Sequence, residues 1–291
     1  LYSAKKMKKD SAASRAAIVS ILGNTLLFGL KIVVALLSGS VALLSDAFNS
    51  LTDTVSSLAV FICVKISAKE ADEGHPFGHS RAEPVAGIVV AIMAGILGFE
   101  VIRTSVGRLT GGDGVVVGTF TLLVPVITAA AKGIMALYFR GVGRAVRSPA
   151  ITALSVDSLC DVAVAFAALV GIAGARFGYS YLDPLAGLLI SMWIIYTGYS
   201  IGMENIDYLM GRSPGPELTA EIRRAALGVE GVEDIGIIRT HYVGPYIHVE
   251  IHVKVPKYLS TYDSHAIGER VERAVEDLEA IQKVFVHMDP V

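Results

Sequence analysis

Four oxygen-bearing side chains stand in two matched pairs within otherwise apolar stretches: Asn49 and Asp53 in Val41 to Ile66, and Asp157 and Asp161 in Ile151 to Ala175. A spacing of four places each pair on one helical face, about one turn apart. Two such helices packed together would bring the four groups to one point. An aspartate at the centre of a bilayer costs about 2.5 to 3.5 kcal/mol on insertion scales, so three without compensation would cost on the order of 8 to 10 kcal/mol. A metal ion or protons would supply that compensation. Carboxylate and amide oxygens suit hard ions such as manganese or magnesium, whereas imidazole favours zinc. All seven histidines fall outside the apolar stretches, so this cation site is all-oxygen.

Two lysines are candidate partners for the aspartates, Lys31 in the first apolar run and Lys132 in the fourth. Both read as lying towards a helix end, from which a long side chain snorkels to water. On that reading three ionised aspartates carry one negative charge more than a divalent ion neutralises, and partial protonation removes it. Glu100 and Arg103, three apart, read as a local ion pair. Cys160 adjoins Asp161 but points about 100° away on a helix, which makes it a packing residue.

Outside the apolar runs, Asp72, His75 and His79 lie in Ala-Asp-Glu-Gly-His-Pro-Phe-Gly-His. This set would hold a divalent ion by ordinary ligand chemistry, and a solvated turn is the alternative. Further on, His248, Glu250 and His252 alternate with apolar residues and share one strand face, and His287 and Asp289 share a face of the last strand. A second metal site and plain edge-strand polarity fit these two stretches equally well.

These groups need elements to position them. The chain of 291 residues is 53% hydrophobic and 18% charged, with mean hydropathy +0.58, a membrane protein by composition. Six runs are long enough to span a hydrocarbon core: Ala16 to Leu37, Val41 to Ile66, Val85 to Leu109, Val115 to Phe139, Ile151 to Ala175 and Leu182 to Ile206. The composition changes at Gly211, which divides the chain into a membrane domain, 1–211, and a soluble domain, 212–291. The latter reads as helix (Pro216 to Leu227), strand (Glu233 to His241), strand (Tyr246 to Val255), helix (Asp263 to Leu278) and strand (Gln282 to His287), an α+β arrangement with helices on one face of a sheet.

Basic residues set the topology. Lys5, Lys6, Lys8, Lys9 and Arg15 precede the first span, Lys65, Lys69 and Arg81 surround the second connection, and Arg140, Arg144 and Arg147 fill the fourth. The connections Ser38 to Ser40 and Gly111 to Gly114 carry none. By the positive-inside rule both termini and the soluble domain are cytoplasmic. No cleavable signal peptide is expected, because the first apolar run is too long and starts too far in. A net charge of −2 and a pI near 6.4 give no reason to invoke nucleic acid. Cys63 and Cys160 both fall in spans, so no disulfide framework is expected.

Several motifs in this order resemble the cation diffusion facilitator family over nearly the whole chain: Ser-Gly-Ser-Val-Ala-Leu-Leu-Ser-Asp-Ala-Phe-Asn-Ser-Leu-Thr-Asp (Ser38 to Asp53), His-Pro-Phe-Gly-His-Ser-Arg-Ala-Glu (His75 to Glu83), Ser-Pro-Ala-Ile-Thr-Ala (Ser148 to Ala153) with Asp157 and Asp161, and Leu-Asp-Pro-Leu-Ala-Gly (Leu182 to Gly187). The resemblance implies a homodimeric, proton-coupled exporter of divalent metal with six transmembrane helices and a cytoplasmic ferredoxin-like domain, in a bacterial or archaeal plasma membrane. It requires no cofactor beyond the transported ion. Zinc-selective relatives carry histidine where this chain has Asp157. The set Asn49, Asp53, Asp157, Asp161 resembles the manganese branch, with iron, zinc, cobalt and cadmium as alternative ions. Asp72, His75 and His79 match the family's interfacial metal site, and His252, His265, His287 and Asp289 its regulatory cluster.

Two positions depart from the family pattern. A regulatory histidine is replaced at Gly236, leaving His241 or His248 as substitutes. The acidic partner of Arg81 in a charge interlock falls at Gly211. Two other classes are the rivals of this reading. An intramembrane metalloenzyme needs a motif such as H-E-x-x-H, which is absent, so no enzyme is expected. A membrane-anchored metal-sensing regulator would leave the buried carboxylate pairs without a purpose.

Overall fold

The computed structural model describes residues 2–38, 41–111, 119–179, 181–279 and 281–291. The connections expected at Ser38 to Ser40 and Gly111 to Gly114 lie largely outside the described residues, as does the start of the fourth expected span, Val115 to Gly118. Two compact units appear, Leu1–Ile206 and Asp207–Val291.

Among the described residues of the first unit, six helices are long and apolar enough to cross a membrane. They are α1 (Tyr2–Ser38), α2 (Val41–Ser67), α3 (Ala82–Gly111), α4 (Thr119–Val146), α5 (Pro149–Arg176) and α6 (Leu182–Leu209). Buried residues from the first five, most of them small or β-branched, form one cluster, with Ala13, Ala16, Val60, Val64, Ala86, Val90, Phe139, Ile151 and Leu154 at its centre. Lipid offers no hydrophobic drive between helices, so close backbone approach has to carry the packing. The α4–α5 hairpin illustrates this: Gly143 lies so near Thr152 that an added β-carbon would stand 3.0 Å from its backbone nitrogen, and Ser155 Oγ donates to the Ala136 carbonyl at 2.9 Å.

The α4–α5 connection is shorter than expected. Arg140 and Arg144 belong to α4, and only Arg147 and Ser148 lie between the helices. Arg147 takes the left-handed conformation (φ 58), and the Ser148 amide donates to Gly143 O at 3.0 Å, which stops α4. Ser148 then starts α5: its Oγ accepts from the Ile151 amide at 3.3 Å, ahead of Pro149 in the first turn. Its hydroxyl also pairs with the buried Glu83 of α3. This fixed start sets the phase of the two aspartates that follow on α5.

In the second unit the order is α7 (Pro216–Leu227), β1 (Asp234–Val243), β2 (Tyr246–Val255), α8 (Thr261–Glu276) and β3 (Ile281–Pro290). β1 and β2 form an antiparallel hairpin, and α8 crosses over so that β3 runs parallel to β2, giving sheet order β1-β2-β3. Ile247, Val249, Ile251 and Val253 of β2 face a core with Ile222 and Ala226 of α7 and Ile267, Val271 and Val275 of α8. This is the α+β arrangement expected from the sequence. Gly211 has a local reason for its identity: with φ +83 it closes α6, its amide bonding Tyr208 O while the Arg212 amide bonds Asp207 O at 2.9 Å. A side chain there would strain the left-handed turn that ends the helix.

Candidate functional site

Asp53 of α2 and Asp157 and Asp161 of α5 converge, each offering an oxygen within 4.8 Å of the others. Oxygens across a divalent ion with ligand distances of roughly 2.0 to 2.6 Å stand about 4 to 5 Å apart, so the spacing suits one ion. Asp157 is buried, while the side chains of Asp53 and Asp161 keep 17% and 14% of their exposure. The backbone of α2 is tied down one turn beyond Asp53. Ser57 Oγ donates to the Asp53 carbonyl at 2.8 Å and is held in turn by Asn24 Nδ2 and Ser20 Oγ of α1, both at 2.8 Å. Asn49, the fourth member of the expected set, is exposed on α2, one turn before Asp53.

One of the two candidate lysines completes the cluster. Lys132 of α4 is 1% exposed, and its Nζ lies 2.8 Å from Asp53 Oδ2 and forms an ion pair with Asp161 Oδ2. The snorkelling reading of Lys132 is therefore wrong. The helix ends at Val146 rather than Phe139, which places Lys132 fourteen residues from its C-terminus. At 1.5 Å per residue that is about 21 Å, beyond the reach of a lysine. Charge counting changes as well: three carboxylates and one ammonium sum to −2, so no surplus charge opposes a divalent ion. Lys31 does lie towards the end of its helix and pairs with Asp46 Oδ1 at 2.9 Å. No sequence signal linked Lys132 to Asp53 beyond the need of a buried aspartate for a partner.

Other expectations in the membrane unit hold. Glu100 and Arg103 pair at 3.3 Å. Cys160 packs among Ala94, Ile194, Val156 and Val164. Asp183, in the Leu-Asp-Pro-Leu-Ala-Gly motif, pairs with Arg108 and occupies the space that a β-carbon at Gly171 would need.

The loop after α2 gathers Asp72, His75 and His79. Asp72 Oδ1 is 3.3 Å from His75 Nδ1 and Oδ2 is 3.4 Å from His79 Nε2, with the two rings 4.4 Å apart. The His75 amide donates to Asp72 Oδ1 at 2.7 Å. That bond, helped by the adjacent imidazoles, holds the Asp72 carboxyl below its usual value.

A third cluster lies on the sheet of the second unit: His252, His287 and Asp289. Asp289 bridges the two imidazoles, Oδ2 to His252 Nδ1 at 3.1 Å and Oδ1 to His287 Nε2 at 3.2 Å. Parallel pairing of His252 with His287 sets the rings side by side, 4.7 Å apart. His265 does not join them; it is exposed on α8, 3.5 Å from Glu269. A bulge in β1 sets Gly236 and Ile237 opposite His252, and a β-carbon at Gly236 would stand 3.3 Å from that of His252 and 4.0 Å from Asp289 Oδ2. The departing position thus borders the cluster. His241 and His248 are not substitutes: they pair with each other across β1 and β2, rings 5.6 Å apart, four residues along the strand from His252.

An oxygen-only cluster in the packed interior of membrane-length helices, joined in one chain to a separate domain with a histidine–aspartate cluster, defines a membrane protein that handles cations. Residues 17–210 match the cation efflux transmembrane domain, and residues 214–291 the cytoplasmic domain of cation efflux proteins. The chain belongs to the cation diffusion facilitator family of cation efflux transporters. It is 34% identical to the uncharacterized transporter MJ0449 of Methanocaldococcus jannaschii over 272 residues, 94% of this chain and 96% of that one. The cation-efflux pump FieF of Cronobacter sakazakii is 31% identical over 280 residues, covering 95% of this chain and 92% of its own. The manganese efflux system protein MneS of Bacillus subtilis is 28% identical over 280 residues, 94% of each.

Proposed function

We propose that the protein is a proton-coupled exporter of divalent metal, with manganese as its main substrate and Asn49, Asp53, Asp157 and Asp161 as its transport site. The observation that carries this reading is the convergence of three aspartates from α2 and α5 at a spacing suited to one hard ion. The name of the manganese efflux relative agrees with it. When the ion leaves, a cluster with a formal charge of −2 in a low-dielectric interior has to take up other cations, and protons are the ones available on every cycle.

The domains divide the work as 1–211 for transport and 212–291 for dimerisation and metal-dependent tuning. Both termini and the second domain lie in the cytoplasm, with the membrane unit in a bacterial or archaeal plasma membrane. Asp72, His75 and His79 form an accessory site near the membrane surface. His252, His287 and Asp289 form a regulatory site, with His265 supplying a ligand only if another copy of the chain brings it there. Metal-competition flux in proteoliposomes tests the proposal: manganese should move against a proton gradient and outcompete zinc. Flux that ignores the proton gradient, or zinc outcompeting manganese, would contradict it.

A further inference from the structure

Lys132 and a divalent ion cannot hold the same oxygens. Its Nζ is 2.8 Å from Asp53 Oδ2 and ion-paired with Asp161 Oδ2, whereas an ion bound through those oxygens would sit roughly 2.0 to 2.6 Å from each. The two cations would then compete for nearly one position, at a separation where like charges in a protein interior repel strongly. Burial at mid-helix gives the ammonium no route to water, so it moves within the site or not at all.

Resting on the transport-site reading above, we propose that Lys132 is a tethered competitor of the transported ion. It swings off Asp53 and Asp161 when a divalent cation binds and returns to them when the cation leaves, so that the discharged site crosses the membrane with its carboxylates partly paired. It is a residue for the return step of the cycle, not a ligand. Two functional signatures follow. Removing the ammonium removes the competitor, so metal binds more tightly. It also removes the occupant of the discharged site, so net transport suffers while exchange of metal for metal, which needs no discharged return, persists.

The test uses the full-length protein, purified for calorimetric titration with Mn2+ and reconstituted for flux. The binding component that disappears in D161N is assigned to the membrane site. K132Q should raise the affinity of that component on the order of tenfold or more, lower net flux by a similar factor and keep metal–metal exchange near wild type. K132R, which keeps a competing charge in the site, should bind Mn2+ less tightly than K132Q. If K132Q does not fold, K132Q/D157N keeps the formal charge of the site, and tighter binding than in D157N alone supports the proposal. Unchanged or weaker affinity in K132Q or in the double variant, or net flux and exchange falling together, overturns it. The two readings fail separately. If D161N removes no binding component, the transport site itself is misplaced. If D161N removes it and K132Q does not tighten it, only the role of Lys132 is wrong.

Discussion

The carboxylate cluster between α2 and α5 and the histidine–aspartate cluster on the sheet of the second unit are both three-residue sites, yet their surroundings are opposite. In the membrane unit, charge has no water to lean on, so the aspartates are held against a buried lysine and packed between helices that meet through small residues. On the sheet, strand pairing alone sets His252 beside His287, and water screens whatever charge Asp289 leaves unmatched. A buried site that must be neutralised from within is suited to exchanging one cation for another. A solvent-facing site preformed by strand register can bind and sense metal without moving it.

The largest test of this contrast is removal of an anionic member of the buried cluster. D53A and D161A should each lower flux by about a hundredfold or more while the protein remains folded and dimeric by size-exclusion chromatography. Wild-type flux in either would remove the distinction between the two clusters. A smaller effect is expected when a ligand is changed in kind. In D157H the imidazole and the lost negative charge should shift the manganese-to-zinc transport ratio about tenfold towards zinc, and an unchanged ratio would mean that this position does not contact the ion.

Replacing His252, His265, His287 and Asp289 together by alanine should lower flux only about twofold to tenfold, because metal bound outside the membrane unit biases conformations without carrying ions across. Abolished flux in a folded, dimeric quadruple variant would give the sheet cluster an essential role in the cycle. The smallest effect belongs to an exposed pair on the same sheet. Lys254 Nζ donates to Asp234 Oδ2 at 2.9 Å and, with the Ile235 amide, holds the Asp234 carboxyl below its ordinary value. A depressed carboxylate stabilises the fold above its unfolded pKa of about 3.9 and loses that contribution as pH falls through the lower folded value. D234N should therefore melt slightly below wild type at neutral pH, with the gap closing below about pH 4. A gap that widens in acid would reverse the sign of this interaction.

Much of this arrangement was legible in the chain. Period-four polar pairs inside apolar runs located Asp53, Asp157 and Asp161, because a carboxylate in lipid has few structural uses. Strict alternation placed His252 and the apolar face of β2. The failures share a cause: they depend on where an element ends or on what another element brings. Hydropathy placed the end of the fourth span at Phe139, since Arg140 and Arg144 read as loop, but the helix continues through them and its centre shifts onto Lys132. Nothing local to α1 marked Ser20 and Asn24 as the residues that fix Ser57 beside Asp53. Gly236 and Gly211, met as losses of family side chains, have backbone settings of their own, a strand bulge beside the metal cluster and the left-handed turn that ends α6.

The central claim, that the buried carboxylates are where the transported ion binds, is tested most directly by anomalous scattering at the manganese edge from crystals of the full-length protein loaded with Mn2+. The expected result is a peak roughly 2.0 to 2.6 Å from oxygens of Asp53, Asp157 and Asp161, with the Lys132 ammonium turned away from it. Peaks confined to Asp72, His75 and His79 or to His252, His287 and Asp289, with Lys132 still paired to Asp53 and Asp161, would contradict it.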